Sequence, residues 1–407
     1  MAVQPKLRFK GFTDDWEKRQ LGNVSNSYSG GTPSASRTDY YGGKIPFIRS
    51  AEINSNSTEL YLTESGFKNS SAKMVQLGDI LYALYGATSG EVGISKINGA
   101  INQAILTIKP TEGDNAQFIM QWLKGRKGHI VNTYLQGGQG NLSGSIIKNL
   151  EIMIPDDKKE ELKIGEFLQS IDNLITVNQR KVNLLKKKKT AYLQKLFPKT
   201  GSNIPELRFK GYIDAWEKRK LGDISDITKL AGFEFTKYVN YKDVGKVIAL
   251  RGLNIKNGKI VLNDVKYIDN SDFSKLNRSK LFKNDLLFTY VGTIGEVAIV
   301  PVDDRFYLAP NVARIRLNKG DDAHFLGQII ANKTFYNQVI YPLIATSSQP
   351  VLSMENIRKF NIILPTLEEE QRLGGIFRKI DNLITVNQRK VDLLKEKKKS
   401  LLQQTFI

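Results

Sequence analysis

The 407-residue chain contains no cysteine. Disulfides, thiolate metal sites and cysteine nucleophiles are thereby excluded, and a cytoplasmic home fits. Histidine occurs only at His129 and His324, far apart and without ligand-spaced neighbours, so a zinc site is not expected. No run approaches the ~18 apolar residues of a membrane-spanning helix, and the opening MAVQPKLRFKGFTDDW lacks the apolar stretch of a signal peptide. No G-x-x-x-x-G-K-[ST] loop is present to cradle ATP phosphates, and no N-P-P-[YF] or D-P-P-[YF] tetrapeptide to build an amino-methyltransferase centre. GGQGNLSG (137–144) is Gly-rich but lacks a strand–G-x-G-x-x-G–helix setting and reads as a loop. PDDKKEELK (155–163) carries the Pro-Asp and Glu-x-Lys elements of metal-dependent nucleases. Its acids, however, fall in the first turn of an expected helix, where they answer free amides and the macrodipole. No catalytic residue, metal ligand or cofactor is assigned to this chain.

Acidic residues are also in short supply: 41 Asp+Glu face 60 Lys+Arg, leaving +19 and an isoelectric point near 9.6. Such a field attracts polyanions, nucleic acid before anionic membrane. Hydrophobic residues make up 41% of the chain, enough for sizeable cores.

What is present is a repeat. PKLRFKGFTDDWEKRQLGNVS (5–25) returns as PELRFKGYIDAWEKRKLGDIS (205–225), and IDNLITVNQRKV stands unchanged at 171–182 and 380–391. The chain is thus two units of about 200 residues, joined near the Pro-, Gly- and Ser-containing PKTGSNIP (198–205). Between the matched ends, GDILYALYGATSGEV (78–92) parallels NDLLFTYVGTIGEV (284–297), and QGNLSGSIIKNLEIMIP (139–155) parallels QPVLSMENIRKFNIILP (349–365). DILYALYG, DLLFTYVG, NLEIMIP and FNIILP read as strands; AQFIMQWLKGR (116–126) and AHFLGQIIANKTFYNQVI (323–340) read as helices. Asp79/Asp285 and Glu91/Glu296 mark strand-edge turns, and Trp16 and Trp216 are core anchors.

After Pro155 and Pro365, the Asp157–Glu160 and Thr366–Glu369 spacings predict capping boxes. Apolar residues then recur at steps of three and four: Leu168, Ile171, Ile175, Val182, Leu185, Tyr192 and Leu196, and again Phe377, Ile380, Ile384, Val391, Leu394 and Leu401. The skipped seam positions are polar and matched, Asn178 with Asn387 and Lys189 with Lys398. Each helix spans about 40 residues, or about 60 Å. The fold expected is α+β: two mixed α/β domains in tandem (1–155 and 201–365), each followed by a long helix (156–200 and 366–407). The helices are expected to pair as an antiparallel coiled coil under an approximate two-fold axis, spacing the two domains apart. The Lys runs 186–189 and 395–399 suit either phosphates or a solvated helix face.

The whole chain resembles the specificity subunit of type I restriction–modification enzymes. The resemblance is carried by the W-E-x-R-x-L-G openings (Trp16–Gly22, Trp216–Gly222), SGGTPS (29–34), IPFIRSAEI (45–53) and VIALRGLNI (247–255). The GDIL and NDLL strands with their Gly-Glu-Val turns and the repeated IDNLITVNQ complete it. Departures are local: KLAGFEF (229–235) lacks the Gly-Thr-Pro of its counterpart, and the usual Pro-x-x-E-Q before each helix reads PDDKKEE and PTLEEEQ. The resemblance implies two target-recognition domains that read a bipartite, asymmetric double-stranded DNA sequence. It also implies two modification subunits (adenine-N6 methyltransferase using S-adenosylmethionine) and two restriction subunits using ATP and Mg.

A pseudosymmetric chain with unlike middles suits unlike half-sites on one face of DNA, a turn of ~34–36 Å apart. Loop residues at strand ends are the candidates for DNA contact. In the first domain these are Ser29, Gly30, Gly31, Thr32, Ser34, Arg49, Ser50, Tyr85, Thr88, Asn102, Gln103, Gly138, Gln139 and Asn141. In the second they are Lys229, Lys237, Arg251, Asn254, Tyr290, Thr293, Asn311, Ser347, Ser348 and Gln349. A free-standing DNA-binding regulator and a coiled-coil adaptor are the rival readings; tight partner-free site binding marks the first, absence of DNA affinity the second.

Overall fold

The structure, a computed structural model, describes residues 4–135, 141–230, 232–318, 320–345 and 350–406. By contacts the chain divides into two compact units, Met1–Arg180 with Gln388–Ile407, and Lys181–Asn387. This division departs from the four consecutive segments read from the sequence, because its boundaries fall inside the two long helices, Lys158–Leu196 and Leu367–Thr405.

In the first unit an antiparallel ribbon pairs Trp16–Gln20 with Glu151–Pro155, bringing the two ends of the domain together. A four-stranded antiparallel sheet follows in the order Ser25–Ser29, Ile105–Pro110, Ile80–Ala83, Val92–Ile94. The run Ile80–Ala83 is buried at every position, as its unbroken apolar character requires of a central strand. A second sheet runs Tyr61–Leu62, Tyr41–Ile48, Gly99–Ile101, Lys73–Val75, with Tyr41–Ile48 and Gly99–Ile101 parallel. The helix Ala116–Leu135 lays Phe118, Ile119, Trp122 and Leu123 onto the first sheet.

The second unit repeats this plan. Its ribbon is Glu217–Lys220 with Asn361–Leu364; its four-stranded sheet is Ser225–Lys229, Val312–Leu317, Leu286–Thr289, Val297–Ile299; and Ile248–Leu250 lies parallel to Phe306–Leu308. One expectation fails here. The helix expected over 323–340 ends at Ile330, is capped anew by the Asn332 side chain, and then widens through Tyr336–Ile340.

Both cores are closed by a helix end from the other repeat. In the first unit Phe406 meets Phe118 edge-on at 5.2 Å, and Phe118 meets Trp16 at 5.7 Å. In the second unit Phe197 stacks on Phe325 at 5.2 Å, beside Trp216 at 6.0 Å and Phe377 at 5.6 Å. The backbone joins in: Leu7 N donates to Gln404 O, and Leu207 N to Lys195 O.

Within each unit the helix segments run antiparallel. In the first, Ile164 and Leu168 share the core with Phe406 and Leu402, while Asp172, further along one helix, meets Lys398, further back on the other. The Asp172 carboxylate accepts from Lys398 Nζ at 2.6 Å and from Gln121 Nε2 at 2.8 Å. The second unit repeats the triad, Asp381 accepting from Lys189 at 2.7 Å and from Gln328 at 3.1 Å. The aspartate of the duplicated IDNL is therefore an inward residue, and of the Lys runs Lys189 and Lys398 turn to the seam. Leu168, Ile171, Val182, Phe377, Ile380, Ile384 and Val391 are buried; Ile175, Leu185 and Leu394 are half-buried. Asn178 and Asn387, both buried, donate back to Leu174 O and Leu383 O at 2.6 Å.

The expected capping boxes do not form. Glu160 and Glu369 are fully buried and turn away from their helix N-termini to pair with Arg8 (2.7 Å) and Arg208 (2.6 Å). A buried carboxylate needs a guanidinium more than the N-terminal amide needs a second acceptor. Glu160 also accepts from Trp16 Nε1 at 3.1 Å. The neighbouring Glu161 and Glu370, buried too, accept from Asn115 N and Asp322 N, the starts of the domain helices.

Phe406→Ala should cost about 3–5 kcal/mol and Phe197→Ala, at a half-buried ring, less, each read as a lowered urea midpoint with the mutated unit melting first. Burial, aided by Asp321 and Asp322, raises the Glu370 carboxyl from 4.5 to about 7. The folded state then binds more protons, so this group weakens the fold as pH rises from about 4.5 to about 7. Glu370→Gln keeps the acceptor for Asp322 N and should flatten that decline in urea midpoints.

Candidate nucleic-acid interface

The parallel pair in each domain fixes where the candidate residues emerge. Ile48 pairs with Ile101, so Arg49 and Asn102 leave neighbouring strands at one end. Leu84 N donates to Ala104 O and Leu142 N to Leu84 O, tying the loops that carry Tyr85, Gln103 and Asn141 to the same end. Thr32 Oγ1 donates to Gln103 Oε1 at 2.6 Å, which brings the 29–34 loop in. Gly30 and Gly31 are required there: a Cβ on Gly30 would lie 1.9 Å from Ile101 O, and one on Gly31 1.9 Å from Ser71 Oγ. Thr32, Ser34, Gln103 and Asn141 are exposed; Ser29, Ser50, Tyr85, Thr88 and Asn102 are half-buried. Gly138 and Gln139 lie outside the described residues.

Arg49 is not a free arm. Its guanidinium holds Glu52 at 2.8 Å and Glu59 at 2.7 Å, while Glu52 accepts from Arg49 N at 3.0 Å. Burial would raise the Glu52 carboxyl, but Arg49 and backbone amides outweigh it and hold it down to about 2. The matching Arg251 pairs with Asp264 at 2.8 Å.

In the second domain, Arg251, Thr293 and Asn311 line a single concavity of about 650 Å³. Ala309 N donates to Leu250 O, Tyr290 N to Asn311 O and Leu352 N to Tyr290 O, the same stitching as in the first domain. The concavity adds Lys256, Asn257 and Glu296, which sequence reasoning did not select. Glu296 accepts from Asn257 N at 2.6 Å, and Asn257 and Asn311 adopt φ of 51° and 74°. These left-handed positions are tight turns, a signal that Asn-Gly at 257–258 offers in sequence.

Two candidates are corrected by burial. Asn254 is wholly buried, its amide donating to Val261 O and Asp264 O and its Oδ1 accepting from Arg251 N. Its hydrogen-bonding capacity is spent on the turn that aims Arg251. Tyr290 is buried with its ring under the Lys229 ammonium at 5.4 Å, so the ring is not available for stacking on a base. Lys229, Lys237, Thr293 and Asn311 are exposed; Ser347, Ser348 and Gln349 lie outside the described residues. Where the second domain departs from Gly-Thr-Pro, it forms the short helix Gly232–Tyr238.

Among the described residues no helix is long and apolar enough to cross a membrane, and no cluster of His, Asp and Glu side chains is placed to hold a metal ion. Each domain therefore presents polar loop ends on a rigid two-sheet base, suited to hydrogen-bonding base edges and phosphates.

Comparison with known proteins agrees in sequence and in fold. The sequence model of the type I restriction modification DNA specificity domain matches residues 13–187 and again 213–396. The type I restriction enzyme MjaVIII specificity subunit of Methanocaldococcus jannaschii is 21% identical over 399 residues, covering 96% of this chain and 91% of the relative. The EcoR124I/EcoR124II specificity subunit of Escherichia coli is 25% identical over 214 residues, 48% of this chain and 52% of the relative. The crystal structure of a type I restriction-modification S subunit from M. genitalium superimposes with a TM-score of 0.70 at 15% identity, covering 100% of this chain and 99% of that one. The chain belongs to the type I restriction modification DNA specificity family, as a DNA-recognising specificity subunit with two copies of the domain.

Proposed function

We propose that this subunit reads a bipartite, asymmetric double-stranded DNA site, one domain per half-site, and positions two copies of one modification subunit on its long helices. The observation that carries this reading is a contrast within the repeat. The loop ends differ between the domains, whereas the helices repeat the segment IDNLITVNQRKV unchanged. On each helix, beside the buried seam, an exposed apolar series recurs in the same register: Leu174, Val177 and Leu184, and Leu383, Val386 and Leu393. Val177 and Val386 are 61% and 66% exposed, unusual for valine in a long helix with its own seam already packed. Two copies of one surface suit two copies of one partner, and unlike grooves suit unlike half-sites.

In this reading the chain itself catalyses nothing. S-adenosylmethionine binds in the modification subunits, adenine-N6 methyltransferases, while ATP and Mg serve the restriction subunits. Specificity divides by type of contact: lysines and arginines supply salt-dependent phosphate affinity, and Thr293, Asn311, Lys256 and Glu296 face base edges in the second half-site.

Leu174→Asp with Leu383→Asp should abolish copurification of the modification subunit while DNA binding by the specificity chain survives; each single variant should retain one partner. Unchanged two-to-one assembly in the double variant would reject the docking surface. Lys256→Ala with Thr293→Ala should relax sequence preference at one half-site only. Mapping methylated adenines in cells carrying the complex reads this directly, and altered preference in both half-sites would reject the one-domain-per-half-site reading.

A further inference from the structure

The first unit has a concavity of about 760 Å³ where the helix Ala116–Leu135 meets the last turns of the second long helix. Six cationic side chains line it, Lys6, Lys124, Arg126, Lys395, Lys398 and Lys399, against the single carboxylate of Asp172. That carboxylate is already shared. Lys398 reaches it at 2.6 Å and Lys124 at 3.5 Å, and Lys398 is almost fully buried. Burial would raise the Asp172 carboxyl, yet Lys124 and Lys398 hold it below its usual value. Burial and the Lys124 charge together lower the Lys398 ammonium to about 8. Both shifts have the sign that a local excess of positive charge produces.

The repeat provides an internal control. In its register Lys6 corresponds to Glu206, Lys124 to Ala331, His129 to Tyr336 and Lys399 to Thr190. The second unit keeps the structural triad of Asp381, Lys189 and Gln328, so the frame does not need the extra cations. The corresponding region there has its own concavity, of about 730 Å³, walled by Leu193, Phe197, Ile329 and Phe335. Glu206 takes up Lys199 at 3.0 Å and Lys195 at 3.9 Å within it. These differences make the first unit more basic, while one lining position, Gln404 against Lys195, runs the other way. Packing does not account for that, because the same backbone is satisfied without it in the second unit. Lys6, Lys395 and Lys399 also have no carboxylate within 4.0 Å among the described residues.

We propose that this concavity is a phosphate-binding site, taking several phosphoryl oxyanions at once from a nucleic-acid backbone or from a free polyphosphate. Lysines on three elements, the opening segment, the domain helix and the long helix, suit a run of phosphates better than a single ion. The site is separate from the loop ends that face base edges, and only its nucleic-acid arm rests on the DNA-recognition reading above.

The test uses the full chain and the substitutions that the chain itself carries at the equivalent positions: Lys6→Glu, Lys124→Ala and Lys399→Thr together. Calorimetric titration with inorganic tripolyphosphate and with a non-cognate duplex over a salt series separates the two sources. Saturable tripolyphosphate binding that weakens at least about tenfold in the triple variant assigns a free polyphosphate. For a nucleic-acid backbone, the slope of log K against log salt should shrink by about 2–3, close to 0.9 for each phosphate no longer neutralised. If neither quantity changes, the site is rejected. A wild-type chain that binds no duplex at all would count against the DNA-recognition reading instead. Lys124→Ala alone, exposed at the rim, keeps the test valid should the triple variant fold poorly. The reverse graft of Glu206→Lys, Ala331→Lys and Thr190→Lys should raise the affinity that the triple variant lowers.

Discussion

An aromatic ring just past the end of each long helix closes the core of the other repeat's domain. Phe406 completes the cluster of Phe118 and Trp16, and Phe197 that of Phe325, Trp216 and Phe377. Because the ring arrives on a helix, the helix must run antiparallel to its neighbour in that unit for the ring to reach the core. The seam composition, the aspartate–lysine–glutamine triads and the turn-back of each domain start onto a helix end all conform to that requirement. Loss of the ring uncovers the fully buried Phe118 in one core and Phe325 in the other.

The polar residues of the seam contribute to specificity of register more than to net stability. A half-buried carboxylate such as Asp172 gains little over a well-packed leucine, since desolvation offsets the attraction of the buried Lys398. A one-turn slip, however, would leave the buried Lys398 without its carboxylate. The same logic applies to Glu160 with Arg8 and Glu369 with Arg208, which join each long helix to the opening of its domain. The W-E-x-R-x-L-G openings occur twice for this reason: the tryptophan fills the core, and an arginine eight residues before it (Arg8, Arg208) anchors the helix start.

A good deal of this was legible in the sequence. Strands at 80–83, 151–155, 286–289 and 361–364 follow from apolar runs bounded by Gly, Asp and Pro, and the long helices from three-and-four spacing that no strand supports. The site was legible only as a set of loops. Thr293 and Asn311 line one groove with Arg251, yet Asn254 and Tyr290, equally polar or aromatic and equally close to glycines, are buried. Lys256 and Glu296 escape sequence reasoning because their neighbourhood depends on strands paired from distant parts of the chain. The break at Asn332 is hidden for a similar reason: helical spacing persists through 323–340, and only the capping side chain marks the interruption.

The family was legible in the sequence through the resemblance of its ordered motifs, and the two-unit plan, the placement of the long helices and the excess of positive charge were legible directly. The last three are carried by an exact repeat, periodicity and composition, none of which depends on how the chain closes. Tertiary structure alone decided which copy of the repeat closes which core and which lysines turn inward to Asp172 and Asp381. It also decided which of two similar loop residues meets solvent, and that six cations gather around the single carboxylate of Asp172. Those outcomes depend on distances between residues hundreds of positions apart, and the free energy of a charge or a ring is set by what surrounds it after the chain has closed.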